Sequence, residues 1–198
     1  MKINTRTIIL ASKSPRRKSL LEQTGLRFEI IPAEIDETVP GAPAPEEMVK
    51  KLSCMKAHHI AQDYPDAAVI GADTIVTIDK EILGKPCSRR QASDMLNMLS
   101  GRCHTVFTGY TVCCLKKGLN ITEAAATQVF FKKISSAENV FYTNTDEPYD
   151  KAGGYAIQGI GSFLVKKING SYSNVVGLPV CETMEILIKE NIVAIGET

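Results

Sequence analysis

The chain has 198 residues, 44% of them hydrophobic, with 23 basic and 22 acidic side chains and a formal net charge of +1. That length suits one domain or two small lobes around a real core. The even charge balance and the lack of tryptophan among few aromatics exclude a general nucleic-acid or membrane-surface binder, so any cationic site must be local.

Residues 7–11 read as a buried strand. Ser14 and Pro15 suit the N-cap and first position of a helix that runs to about Thr24, with Gly25 as its C-cap. Residues 28–31 read as a second strand. PAEIDETVPGAPAPEE is a loop carrying Glu34, Asp36 and Glu37, and residues 46–62 form a long helix with Met48, Val49, Leu52, Met55 and Ile60 as its apolar set. AAVIGADTIVTIDKEILGKP predicts a strand, a turn over residues 71–74, another strand and a tight turn at Asp79 and Lys80. Residues 88–99 form a third helix. Two long strands then meet at a turn of Lys117 and Gly118, and Ser135 caps a helix to about Thr143. TDEPYDKAGGYAIQGIG is a glycine-rich loop. Residues 163–168 and 172–175 read as short strands, residues 179–189 as the last helix, and the tail ENIVAIGET as frayed. Strands that alternate with helices and then give way to a hairpin imply an α/β fold with a mixed sheet.

None of the six cysteines (54, 87, 103, 113, 114 and 181) falls in a C-x-x-C pair, and His58, His59 and His104 lack ligand spacing to them. The expectation is a reduced, cytoplasmic protein with unpaired, mostly buried thiols and no zinc. No run approaches the length of a membrane span.

The chemistry-bearing residues come in patches. In ILASKSPRRKSLLEQTGL a strand passes into a helix through Ser12, Ser14, Arg16 and Arg17. A helix N-terminus offers free N–H groups and a partial positive charge, the hydroxyls add donors, and arginines grip phosphate oxygens in pairs. This is either a polyphosphate cradle or a capped surface helix with solvated basic residues. It is not a P-loop, because the G-x-x-x-x-G-K-[ST] pattern is missing. VIGADT presents Asp73 after an apolar strand, where a carboxylate serves as metal ligand or general base, or bonds its own turn. Lys85 follows Gly84 in LGKP. Asp150, Lys151 and Gln158 sit among glycines, where a ligand can approach the backbone and Gln158 can read a base edge. Glu34, Asp36 and Glu37 are spare carboxylates of the kind Mg²⁺ needs beside a phosphate. Together the patches suit metal-assisted phosphate chemistry.

LASKSPRRKSLL, VIGADTIV, LGKP, MLSGRCHTVFT, DEPYDKAGGYAIQG and INGSYSNVVGLPVCET, in that order, resemble the blocks of the Maf family of nucleoside triphosphate pyrophosphatases over nearly the whole chain. The resemblance implies hydrolysis of a nucleoside triphosphate to monophosphate and pyrophosphate with Mg²⁺ or Mn²⁺, and Asp73 as catalytic base. It ties Arg16, Thr74 and Gln158 to base choice, in the pattern of the branch acting on dTTP and UTP rather than on 7-methyl-GTP. It assigns phosphate or metal contacts to Ser12, Arg17, Glu37, Lys56, Lys85 and Lys151, with Glu37 and Asp73 at the metal. Glu34 and Asp36 compete with Glu37, and the alternative for Lys56 is a plain surface lysine. The family fold is a mixed twisted sheet with flanking helices and two lobes around a central cleft, here one domain over 1–198. The resemblance also implies a homodimer and a link to nucleotide house-cleaning and arrest of septum formation; the charge balance and the lack of a long apolar run add no nucleic-acid or membrane partner. The alternative is a nucleotide-binding regulator of cell division with little turnover.

Overall fold

The computed structural model describes residues 2–41 and 43–196. In chain order the elements are β1 (Lys2–Asn4), β2 (Ile8–Leu10), α1 (Pro15–Glu22), β3 (Glu29–Ile30), α2 (Pro45–Asp63), β4 (Ala68–Ile78), β5 (Glu81–Leu83), α3 (Arg89–Leu99), β6 (Cys103–Cys114), β7 (Leu119–Phe131), α4 (Ser136–Thr143), β8 (Val165–Asn169), α5 (Tyr172–Val176), α6 (Val180–Lys189) and β9 (Val193–Ile195). Seven strands form one mixed sheet in the order β3-β2-β4-β6-β7-β8, with β5 paired to β4. β2 lies parallel to β3 and to β4, whereas β5 on β4 and β8 on β7 are antiparallel. This is the mixed α/β sheet with flanking helices that the alternation of elements implies.

The chain divides into two compact units. One comprises the residues up to Asp73, Thr108–Ala125 and the residues from Gly177 on; the other comprises Thr74–Phe107 and Ala126–Val176. In the first, Ile9, Ala11, Ala57, Ile60, Ala61, Val69 and Cys113 share a core. In the second, Val76, Leu96, Leu99, Val106, Val129, Phe131, Tyr142, Tyr155 and Leu164 do.

Several local expectations change. There is no turn over residues 71–74: β4 is one continuous strand of 11 residues. Gly71 is there for a different reason. A Cβ on it would lie 2.3 Å from the Ser53 carbonyl oxygen and 2.8 Å from the Ala57 nitrogen, so it is the seat on which α2 rests. Gly109 on β6 does the same, since a Cβ there would meet the Val49 carbonyl oxygen at 2.1 Å. The expected tight turn at Asp79 and Lys80 does form, with φ of 52° and 69°, the left-handed pair that a two-residue hairpin demands.

The face of α2 also differs. Val49, Leu52, Ser53, Lys56, Ala57, Ile60 and Ala61 are buried, while Met55 is 39% exposed. The inward stripe keeps the 3.6-residue period, and with it Lys56 goes in and Met55 goes out. Residues 172–175, read as a strand, lie in α5, where Ser171 Oγ accepts the Asn174 N–H. Glu197 and Thr198, the end of the tail expected to fray, lie outside the described residues. Within that tail β9 pairs antiparallel with β1, Ile3 opposite Ala194. Only Cys113 and Cys114 are buried; Cys54 is partly buried, and Cys87, in the loop before α3, Cys103, at the start of β6, and Cys181, in the first turn of α6, are exposed. All six are free. No helix among the described residues is long and apolar enough to cross a membrane.

Candidate active site

Asp73 follows from the strand period. Residues i and i+2 share a face of a strand, so Asp73 points the same way as Gly71, toward α2. Positions three and four apart share a face of a helix, so Lys56 lies beside Ala57 and one turn beyond Ser53. The close seat at Gly71 therefore sets Lys56 against Asp73. Lys56 Nζ donates to Asp73 Oδ1 at 2.6 Å, and both residues are 8% exposed. A second carboxylate, Glu37 Oε1, lies 2.9 Å from the same ammonium, but its side chain is 57% exposed. Glu37 is thus the rim of the site and the Asp73–Lys56 pair its desolvated centre. Desolvating an ion pair is costly, and well-packed apolar residues stabilise such a position as well or better. The pair is better explained by chemistry than by stability.

Of the three acids in the loop, Glu37 reaches this cluster. Asp36 Oδ1 accepts the Thr38 N–H at 2.9 Å, a local Asx turn, and Glu34 is exposed.

Ser14 caps α1 through its hydroxyl, which accepts the Arg17 N–H. Ser14 N–H in turn donates to Ser12 Oγ at 3.2 Å. Arg17 bends back over this turn. Its Nε donates to the Gly177 carbonyl at 2.7 Å, and its Nη1 donates to the Ala72 carbonyl at 2.9 Å and to Ser12 Oγ at 3.2 Å. Burial pulls the Arg17 guanidinium below its ordinary pKa; Asp73 and Glu37 push it back up and Arg16 adds to the fall. It stays charged, since a guanidinium does not lose its proton in proteins. Those same influences place Arg16, Arg17, Glu37 and Asp73 in one electrostatic neighbourhood. The turn is a properly capped helix start that also gathers cations and hydroxyls near a carboxylate. Both serine oxygens act as acceptors in these bonds, which keeps their O–H protons for donation.

The donor set fits a divalent cation of a particular kind. Two carboxylates already converge on one positive charge, and Mg²⁺ is commonly bound by one or two carboxylates with phosphate oxygens and water completing its shell. Among the described residues no group of three or more His, Cys, Asp or Glu is arranged to hold a metal, so the match is to an ion shared with a phosphate rather than to an all-protein cage.

The second unit holds Thr74, Lys85, Lys151 and Gln158. Thr74 follows Asp73 and faces the other side of β4. Lys85 is exposed after β5. Lys151 Nζ donates to the Glu147 carbonyl at 2.7 Å and to Asp150. Gln158 sits at the N-cap of a 3-10 turn, Gly159–Leu164, and makes no side-chain cap bond. The sequence gives no sign of what holds this segment. It is Glu147, whose carboxylate accepts the N–H groups of Ile160 at 2.9 Å and Gly161 at 2.7 Å and the Tyr142 hydroxyl at 2.8 Å. No local pattern marks it, because the burial of Tyr142 and the reach of Glu147 to residues 13 and 14 positions on exist only in the fold. Nearby, His104 Nε2 and Tyr155 Oη are 2.7 Å apart, and burial lowers the His104 pKa to about 4.

A family model described as Maf-like protein matches residues 7–190. The chain belongs to the Maf family. It is 49% identical over 183 residues to a protein of Syntrophus aciditrophicus named dTTP/UTP pyrophosphatase, covering 92% of this chain and 89% of that one. Proteins of the same name from Geotalea uraniireducens (46% over 180 residues, 91% and 93% covered) and Desulfotalea psychrophila (43% over 188 residues, 95% and 96% covered) are similar to it as well.

Proposed function

We propose that this chain is a dTTP/UTP pyrophosphatase, which cleaves a pyrimidine nucleoside triphosphate to the monophosphate and pyrophosphate. The observation that carries the reading is the buried Asp73–Lys56 pair, built into regular structure in a chain 43–49% identical to proteins of that name. A water oxygen bonds to the α-phosphorus as the bond from that phosphorus to the α,β-bridging oxygen breaks, and pyrophosphate leaves with the electron pair. Asp73 orients the water and takes its proton. Lys56 holds Asp73 Oδ1, which leaves Oδ2 for the water.

Arg17 spends Nε and Nη1 on Gly177, Ala72 and Ser12. It therefore acts on phosphate chiefly as a fixed nearby charge. Ser12, Ser14, Lys85 and Lys151 take phosphate oxygens as negative charge moves onto the leaving group. Thr74 and Gln158 bond the pyrimidine edge, and Arg16 shares in base choice. Asp73 and Glu37 would hold a Mg²⁺ or Mn²⁺ ion, which when bound neutralises phosphate charge and acidifies a water. A homodimer in the cytoplasm is part of the same reading.

The test is incubation of the purified protein with Mg²⁺ or Mn²⁺ and a panel of nucleoside triphosphates, following pyrophosphate and monophosphate together. Matched release of both from dTTP and UTP is expected. Release from 7-methyl-GTP instead would keep the reaction and overturn the roles of Arg16, Thr74 and Gln158. Tight nucleotide binding without turnover would favour a regulator of division over an enzyme.

A further inference from the structure

A residue at the N-cap of a helical turn commonly spends its own side chain on the first free N–H groups. Gln158 stands at such a position, before Gly159–Leu164, and makes no side-chain cap bond. The cap comes from elsewhere. Glu147 Oε1 accepts the Ile160 N–H at 2.9 Å and Oε2 accepts the Gly161 N–H at 2.7 Å. On the other flank the Ala156 N–H donates to the Tyr142 hydroxyl at 3.1 Å, and that hydroxyl donates to Glu147 Oε2 at 2.8 Å. Burial and the Glu147 charge raise the Tyr142 pKa, so the phenol keeps the proton it donates. Between these anchors Gly159 has φ +70°, and a Cβ there would lie 2.1 Å from Glu147 Oε1. Both sides of Gln158 are therefore tied to one carboxylate and the phenol bonded to it. The Glu147 main-chain carbonyl meanwhile accepts Lys151 Nζ at 2.7 Å.

We infer that Glu147 is a positioning residue for base selection: by capping the 159–164 turn from outside and anchoring its flanks, it fixes Gln158 while leaving that amide for the pyrimidine. This rests on the role of Gln158 under the proposed function. A carboxylate is required because its bonds to this segment all accept protons, two from amides and one from a phenol. In Glu147→Gln the shape is kept, but one oxygen becomes an NH2 facing a donor.

The experiment measures kcat and KM for dTTP, UTP and CTP with wild type, Glu147→Gln, Tyr142→Phe, Gln158→Ala and the Glu147→Gln/Gln158→Ala double variant, with melting curves for each. We expect Glu147→Gln to raise KM for dTTP roughly tenfold, with a smaller change in kcat, and to erode the preference for dTTP over CTP by a similar factor. Tyr142→Phe should change both in the same direction but less. The double variant should be no less selective than Gln158→Ala alone, because two residues acting through one contact are not additive. A folded Glu147→Gln protein with wild-type selectivity overturns the inference, as do losses that add in the double variant. Should Glu147→Gln fail to fold, unchanged selectivity in Tyr142→Phe overturns it. Wild type inactive on all three nucleotides overturns the proposed function and this inference together; wild type active with selectivity that Gln158→Ala leaves intact removes the role of Gln158 alone, and the inference with it.

Discussion

Asp73 and Gln158 are held in opposite ways. Asp73 sits on a long strand, and its partner Lys56 is fixed by a helix seated on that strand at Gly71 and on β6 at Gly109, where backbones can touch. Gln158 sits on short turns, and what fixes it is a hub of hydrogen bonds on one carboxylate. The first arrangement is stiff because backbones touch; little can shift without moving α2 as a whole. The second depends on a handful of polar bonds, each worth about 1 kcal/mol net, with a larger loss when a partner is left unpaired. Under the proposed function, Asp73 must meet water and phosphorus in one geometry and gains from the first kind of support. A group that must tell one base from another is served by the second, where the surrounding turn can differ without disturbing the sheet.

The largest effect that would break this comparison is on Asp73. Asp73→Asn keeps an oxygen for Lys56 and should fold normally, yet pyrophosphate release should fall roughly 10²- to 10⁴-fold, the usual contribution of a positioned base. Full turnover in that variant would remove Asp73 from the chemistry. Next comes the seat. Gly71→Ala puts a Cβ 2.3 Å from the Ser53 carbonyl oxygen. We expect it to cost about 3 kcal/mol in urea unfolding, the upper range for overpacking, and to lower turnover without altering the dTTP-to-CTP preference. A drop in selectivity there, with turnover kept, would mean that the two kinds of support are not separable.

The third prediction concerns acid. His104 is 2% exposed, and burial lowers its pKa from 6.5 to about 4. Between those values the unfolded chain takes up a proton that the folded chain refuses. His104 therefore makes stability fall as pH drops from about 6.5 to 4, by about 3 kcal/mol in all, and adds no further loss below that. Denaturant midpoints for wild type and His104→Gln across this range would show it as a difference in slope; parallel slopes would dismiss it. The smallest effect is at Ser135. Its hydroxyl and Glu138 form a reciprocal capping box on α4, the helix that carries Tyr142. Ser135→Ala should cost about 1 kcal/mol in the same denaturant assay, with kcat on dTTP unchanged.

Much of this was legible in the residues because the signals were local. Caps and turn formers gave helix starts within a residue at Ser14, Ser88 and Ser135, and the left-handed turn at Asp79 and Lys80. What local pattern could not decide needed a neighbour from far along the chain. Gly71 looked like a turn because a strand glycine has two uses, and only the approach of α2 decides between them. Lys56 is open in the sequence between a site residue and a surface lysine, because its burial depends on Asp73, 17 positions away. Arg17 reads as a phosphate ligand, and local pattern cannot show that its Nε and Nη1 also bond the Gly177 and Ala72 carbonyls. Glu147 went unnoticed inside a glycine-rich run, since its worth lies in three partners that local pattern cannot place.

Gly71 and Gly109 have a consequence for how this molecule can vary. Each holds its place by what it lacks, and every alternative amino acid adds at least one carbon where a carbonyl oxygen already stands. In a saturation scan these two positions, with no chemistry of their own, should tolerate the least, while the loop that brings Glu37 to Lys56 should accept change at most of its residues.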